Sequence, residues 1–192
     1  MVEFANNAKP LLDKLIIFYE FVLMNRNDPY ENGHSRRVCQ YAVRLANKLK
    51  PSVVFMETMY CGARLHDAGK ILCPVELLNK EHLTDSEFRI MKQHARNGFM
   101  LVQALNINGA LLRIVAEHHE NYDGSGYNLK LAGEGISQGA RIIRICDSYD
   151  AMTSARPYGI KRSPDEAIAE MVRCQKDYDP ELFSIFKVMI CP

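Results

Sequence analysis

Apolar residues recur at three- and four-residue intervals along almost the whole chain, as in "LLDKLIIFYEFVLM" and "ARIIRICDSYDAM", and no long alternating β-branched run interrupts them. That is the helical period, and it predicts an all-α fold, a compact bundle of about seven to nine helices. The helices are expected at residues 10–24, 33–49, 52–68, 74–78, 84–105, 109–118, 135–152, 163–174 and 180–189. Two starts carry capping-box chemistry, Thr84-Asp-Ser-Glu87 and Ser163-Pro-Asp-Glu166, in which the hydroxyl accepts from a first-turn amide and the glutamate reaches back. Between Glu120 and Glu134 the text changes to "ENYDGSGYNLKLAGE", a loop rich in glycine and turn formers.

The chain has 192 residues, enough for one domain with a sizeable core. Its net charge of +1 excludes a nucleic-acid-coating or acidic solvating protein, so no DNA partner is expected. The six cysteines stand singly, without a CxxC pair, and read as reduced core thiols of a cytoplasmic protein. "LIIFYEFVLM", Leu15 to Met24, is shorter than the ~20 residues a membrane span needs and contains Glu20. No membrane span is expected. Residues 1–26 read instead as an N-terminal packing or dimerisation helix ahead of a 27–192 domain.

Polar chemistry gathers at a few points: His34, "LHDAGK" with His66 and Asp67, His94, the pair His118-His119, and Asp147 within an apolar helix. Neutral imidazoles and carboxylates are ligands that zinc, iron and manganese accept, and one carboxylate can bridge two ions through its two oxygens. Neighbours on a helix point about 100° apart, so an HD or HH pair suits two ions better than one. A buried Asp147 needs a cation or hydrogen-bond donors, and a pair with Arg141 or Arg144 is the plain alternative. His82, in "NKEHLT", has no such neighbours and is expected to be exposed.

The order His34, "HDAGK", His94, "HHENYDGSGY" and "ARIIRICDSYDAMTSARPY", with "ILCPVELLNK" and a closing "YDP" between and after, resembles the HD-GYP family of the HD phosphohydrolase superfamily from about Asn27 to Pro180. The resemblance implies a helical bundle with its ligands turned inward. His34, His66, Asp67 and Asp147 would form the minimal metal set, and His94, His118 and His119 would hold a second ion with Asp67 bridging. It also implies iron or manganese, and hydrolysis of cyclic di-GMP to the linear dinucleotide or GMP. Two adjacent ions can hold a hydroxide between them and neutralise phosphate oxygens, which suits phosphoester hydrolysis independently of the resemblance. Lys70 would face the phosphate, and Tyr127 and Arg156 would contact the ligand. Glu31 is either a solvated helix-entry residue or a ligand for a third ion.

Four departures touch the nucleotide contacts and loop order: Asn128 where the family has proline, Asn121 where an arginine is common, Ala95 where a proline is usual, and Gly159 where a basic residue often follows "RPY", with Lys161 and Arg162 as candidates to compensate. Metal binding therefore follows more directly than substrate choice. The alternatives are a phosphohydrolase of another cyclic dinucleotide and a module that binds nucleotide or a partner without hydrolysis. Regulation is expected from a homodimer, a protein partner or a longer chain.

Overall fold

The structure is a computed structural model and describes residues 9–25, 33–78, 80–105, 109–154 and 161–191. Glu31 and Arg156 lie outside the described residues. All regular elements among those described are helical. They are α1 (Lys9–Asn25), α2 (His34–Asn47), α3 (Val53–Leu65), α4 (Val75–Leu78), α5 (Asp85–Met91), α6 (His94–Gln103), α7 (Gly109–Glu117), α8 (Gln138–Thr153), α9 (Pro164–Arg173) and α10 (Pro180–Ile190). A 3-10 turn, Ala68–Leu72, joins α3 to α4.

Both capping boxes form: Thr84 accepts from the Glu87 amide and Ser163 from the Glu166 amide, and each glutamate returns to its cap backbone. The expected single helix over 84–105 is two, α5 and α6, broken at Lys92-Gln93. At the break the Met91 carbonyl accepts from the His94 ring, a bond that competes with the carbonyl's ordinary helical partner four residues on.

The core has two parts. The larger joins α2, α3, α8 and α10 through Val38, Leu45, Met59, Ile142, Ile145 and Phe186. The smaller packs α1, through Leu12, Ile16 and Tyr19, onto Leu65, Val102 and Val115. Fully burying side chains of this size stabilises by about 1.5–3 kcal/mol each, so the apolar stripes rather than helix propensity hold the bundle. Glu20, the charge inside the apolar N-terminal stretch, is buried and paired with Arg64 of α3 and Arg36 of α2. It ties α1 to the body by charge as well as by packing. Among the described residues no helix is long and apolar enough to cross a membrane.

Gly69 explains how two parts of the site come together. A Cβ there would lie 1.9 Å from the His94 carbonyl oxygen and 2.5 Å from the Gly98 amide. Its φ is not positive, so the glycine serves close approach of the 3-10 turn to α6 rather than a reversal of the chain. That approach brings Asp67 and His94 side by side. Cys39, Cys73 and Cys146 are buried.

Candidate metal centre

Three histidines stand at helix ends. His66 is the C-cap of α3, His118 follows the last residue of α7, and His94 follows the break after α5. The last carbonyls of a helix have no amide partner within it. Each ring takes one of them: Nδ1 lies 2.8 Å from Ala63 O for His66, 2.7 Å from Met91 O for His94, and 2.8 Å from Val115 O for His118. An imidazole donating from Nδ1 keeps its lone pair on Nε2, which here points inward. His34, the first residue of α2, is fixed differently: its Nδ1 sits 2.8 Å from Asp150 Oδ2 on α8.

Asp67 occupies the centre. Its Oδ1 is 3.2 Å from His94 Nε2 and 3.8 Å from His118 Nε2. Its Oδ2 is 3.4 Å from His66 Nε2 and 3.7 Å from His34 Nε2. One carboxylate therefore belongs to two groups, one with His94, His118 and His119 and one with His34 and His66, and within each the ligating atoms lie within 4.8 Å of one another. Asp147 joins at the second group, its Oδ1 3.2 Å from His34 Nε2. The arginines that might have paired with it are engaged elsewhere: Arg141 with Asp179, and Arg144 through Nε with Asn121 Oδ1 at 2.8 Å.

The donors fit divalent cations on grounds internal to this site. His94 Nε2 faces His118 Nε2 at 3.2 Å while both rings donate from Nδ1, so two lone pairs meet unless a cation or proton lies between them. His66 Nε2 is fully buried and has no hydrogen-bond partner among the described residues. A buried polar atom left in that state is costly, and a metal ion removes the cost. The donor set is nitrogen and oxygen, and the neighbouring Cys146 thiol, buried and with its pKa pushed well above its ordinary value, belongs to neither group.

Electrostatics agree. Burial opposes ionisation of Asp67 and Asp147, but Lys70 and His66 for the first, and His34 above all for the second, hold both well below the usual carboxylate range. Burial and neighbouring histidines lower His118 to about 3 and His119 well below its ordinary value, so both rings stay neutral. These are the protonation states that ligate metals. His34 and His66 are the exceptions: burial lowers each, yet Asp147 and Asp150 outweigh burial at His34 and raise it to about 10, and Asp67 outweighs it at His66 and raises that ring as well. A metal at His34 would displace a proton.

The centre opens into a cavity of about 880 Å³, within the range that holds a whole small ligand. Lys70 lines it, with Nζ 2.6 Å from Asp67 Oδ2. Tyr127 lines it too, stacked on His119 at 4.8 Å between ring centroids. Burial, with the charges of Asp67 and Asp147, raises the Tyr127 phenol, which therefore remains a donor. His82 is exposed, as its sequence context implies.

Sequence reasoning missed Asp150. Its carboxylate is buried, accepts from His34, and takes Arg37 Nε at 2.7 Å and Nη2 at 3.1 Å. The signal was helical spacing: Asp150 lies one turn past Asp147 and Arg37 one turn past His34, so each shares its neighbour's face. The helix expected at 180–189 does start at "YDP", and the sequence reading missed only its cap, Asp179, which accepts from the Glu181 and Leu182 amides at 3.0 Å each.

Residues 21–182 match the family model described as HD domain. A cyclic di-GMP phosphodiesterase of Pseudomonas aeruginosa is 38% identical over 168 residues, 86% of this chain and 40% of that protein. A 3′3′-cGAMP-specific phosphodiesterase of Vibrio cholerae is 33% identical over 86% of this chain and 36% of its own length. The chain thus spans less than half of these curated relatives. An HDG"Y"P protein from Bdellovibrio bacteriovorus shares the fold, with a TM-score of 0.73 at 17% identity over 96% of this chain and 63% of that one.

Proposed function

Since the chain belongs to the HD domain family, we propose that it is a metal-dependent phosphodiesterase that hydrolyses cyclic di-GMP to the linear dinucleotide and onward to GMP. The observation that carries this reading is Asp67, one carboxylate with each oxygen turned to a different set of histidines. We assign His34, His66, Asp67 and Asp147 to one ion and His94, His118, His119 and Asp67 to the other. The absence of thiolate from the donor set disfavours soft metals, and the family resemblance points to iron or manganese. Two such ions, once bound, acidify water and neutralise phosphate charge.

The chain's own residues do the rest. The Nδ1 bonds hold the imidazoles rigid, so the donor set is preorganised. Asp67 carries Lys70 on the oxygen that faces His66; a cation there competes with the ammonium, which lies in the cavity wall and can then turn to a phosphate oxygen. Tyr127 offers the ligand a phenolic donor beside His119. In the overall reaction water adds to phosphorus and the ribose 3′ oxygen leaves carrying a proton. By the resemblance alone, Arg156 would add a phosphate contact and Glu31 a ligand to a third ion. Residues 27–192 would form the catalytic unit, working in the cytoplasm. Ile17 and Phe18 of α1, 67% and 57% exposed, would be covered by a second copy or a regulator.

The test is incubation of anaerobically prepared, ferrous- or manganese-loaded protein with cyclic di-GMP and chromatography of the products. The linear dinucleotide or GMP is expected, and Asp67→Asn should release neither. Absence of both from metal-loaded protein overturns the reading. A second substrate, 3′3′-cGAMP, is run alongside because a relative of comparable identity is specific for it.

A further inference from the structure

Asn128 stands where the resembling family has a proline, and its backbone is at φ 97. Proline is locked near −65° and cannot take that angle, whereas asparagine is among the side chains that tolerate positive φ. The side chain is in use as well. Its Nδ2 donates to Ala116 O at 2.7 Å, a carbonyl in the last turn of α7, two residues before His118. The residues on either side make parallel ties. Tyr127 N donates to His119 O at 3.3 Å, and Leu129 N donates to Glu120 Oε1 at 2.6 Å. Three consecutive loop residues are thus fastened to the end of α7 and the histidine pair that follows it. Gly126 permits the approach, since a Cβ there would sit 2.3 Å from the Asn121 amide.

We infer that Asn128 is a positioning residue: by capping α7 from the loop it fixes the Tyr127 ring against His119 and so sets the geometry of the His94, His118 and His119 group. The inference rests on the proposed reading only in taking those three histidines as ligands of one ion. It carries a consequence opposite to what the family motif suggests. Restoring the proline does not repair this loop; it removes the amide donor and demands a backbone angle the loop does not have.

The experiment is manganese titration of the metal-free protein, followed by electron paramagnetic resonance and by metal content after desalting, for Asn128→Pro, Asn128→Gly and Asn128→Asp. Circular dichroism establishes that each variant is folded. The glycine keeps the angle and loses the donor, while the aspartate keeps the shape and sets a carboxylate against the Ala116 carbonyl. Expected is one manganese held about tenfold or more weakly in all three, the scale of one lost buried hydrogen bond, with the other ion unchanged. If N128P folds and binds both ions as tightly as the parent, the inference is overturned. If N128P does not fold, N128G and N128D decide: two unchanged ions in both would equally overturn it. Because no nucleotide enters the titration, its failure is distinct from failure of the phosphodiesterase reading. Where cyclic di-GMP is turned over, the variants should lose kcat more than they raise KM.

Discussion

Asp150 belongs to neither of the two proposed ligand groups, yet it orients the His34 ring that does. Its Oδ2 holds the His34 ring, and Arg37 holds Asp150. Outer partners of this kind typically change metal affinity by about 10–100-fold when removed. Asp150→Ala should therefore weaken manganese at the His34 group by about that factor, read by calorimetric titration. Unchanged affinity would show that packing alone orients the ring. The aspartate was hard to see in the sequence because one carboxylate in "DSYDA" looks like another. What separates Asp147 from Asp150 is which atom of His34 each faces, Nε2 or Nδ1, and periodicity does not encode that. The residues of the proposed ligand set could be picked out in the sequence, because several histidines and aspartates interrupt otherwise apolar helical segments in one recurring order.

At the scale of elements, most helices could be read from apolar spacing, but the break between α5 and α6 could not. Its cause is a side chain competing with the backbone for the Met91 carbonyl, an interaction that hydrophobic spacing cannot report. The demand for glycine at position 69 could not be read either, since only the packed structure reveals the backbone of α6 against it. Gly69→Ala should cost at least the ~1–3 kcal/mol of overpacking, because the obstacle is backbone that cannot rotate away. Denaturant unfolding measures that cost, and manganese titration should show the His94 group weakened. The α5 cap supplies a separate check. Lys80 and the Thr84 cap lower Glu87 from 4.5 to about 2, so its contribution is present above pH 4.5 and disappears as pH falls toward 2. Thermal midpoints taken across that window should fall more steeply for the parent than for Glu87→Gln. Parallel slopes would show that the cap does not limit unfolding.

For the whole molecule, the proposed ligands come from α2, the α3 end, the α6 start, the α7 end and α8, so metal binding and folding share one set of contacts. A ligand at a hundred times its Kd stabilises by about 2.7 kcal/mol, and a chain of this size should gain roughly 5–10 °C in Tm. Scanning calorimetry with manganese and with chelator tests this, and equal midpoints would contradict a folded-state site. Three helices, α3, α5 and α7, turn their C-terminal, partially negative ends toward the cluster that holds Asp67, Asp147 and Asp150, while α2 and α6 begin there with His34 and His94. Without cations, the carboxylates of Asp67 and Asp147 at the floor of the cavity oppose an approaching anion, and the Lys70 ammonium is held by Asp67. On the proposed reading, metal loading would strengthen phosphate recognition, with metal bound first and nucleotide second. Calorimetry with chelated protein should show cyclic di-GMP binding weakened or lost before any chemistry is at stake. A protein built this way would answer to cellular metal supply through substrate capture as well as through turnover.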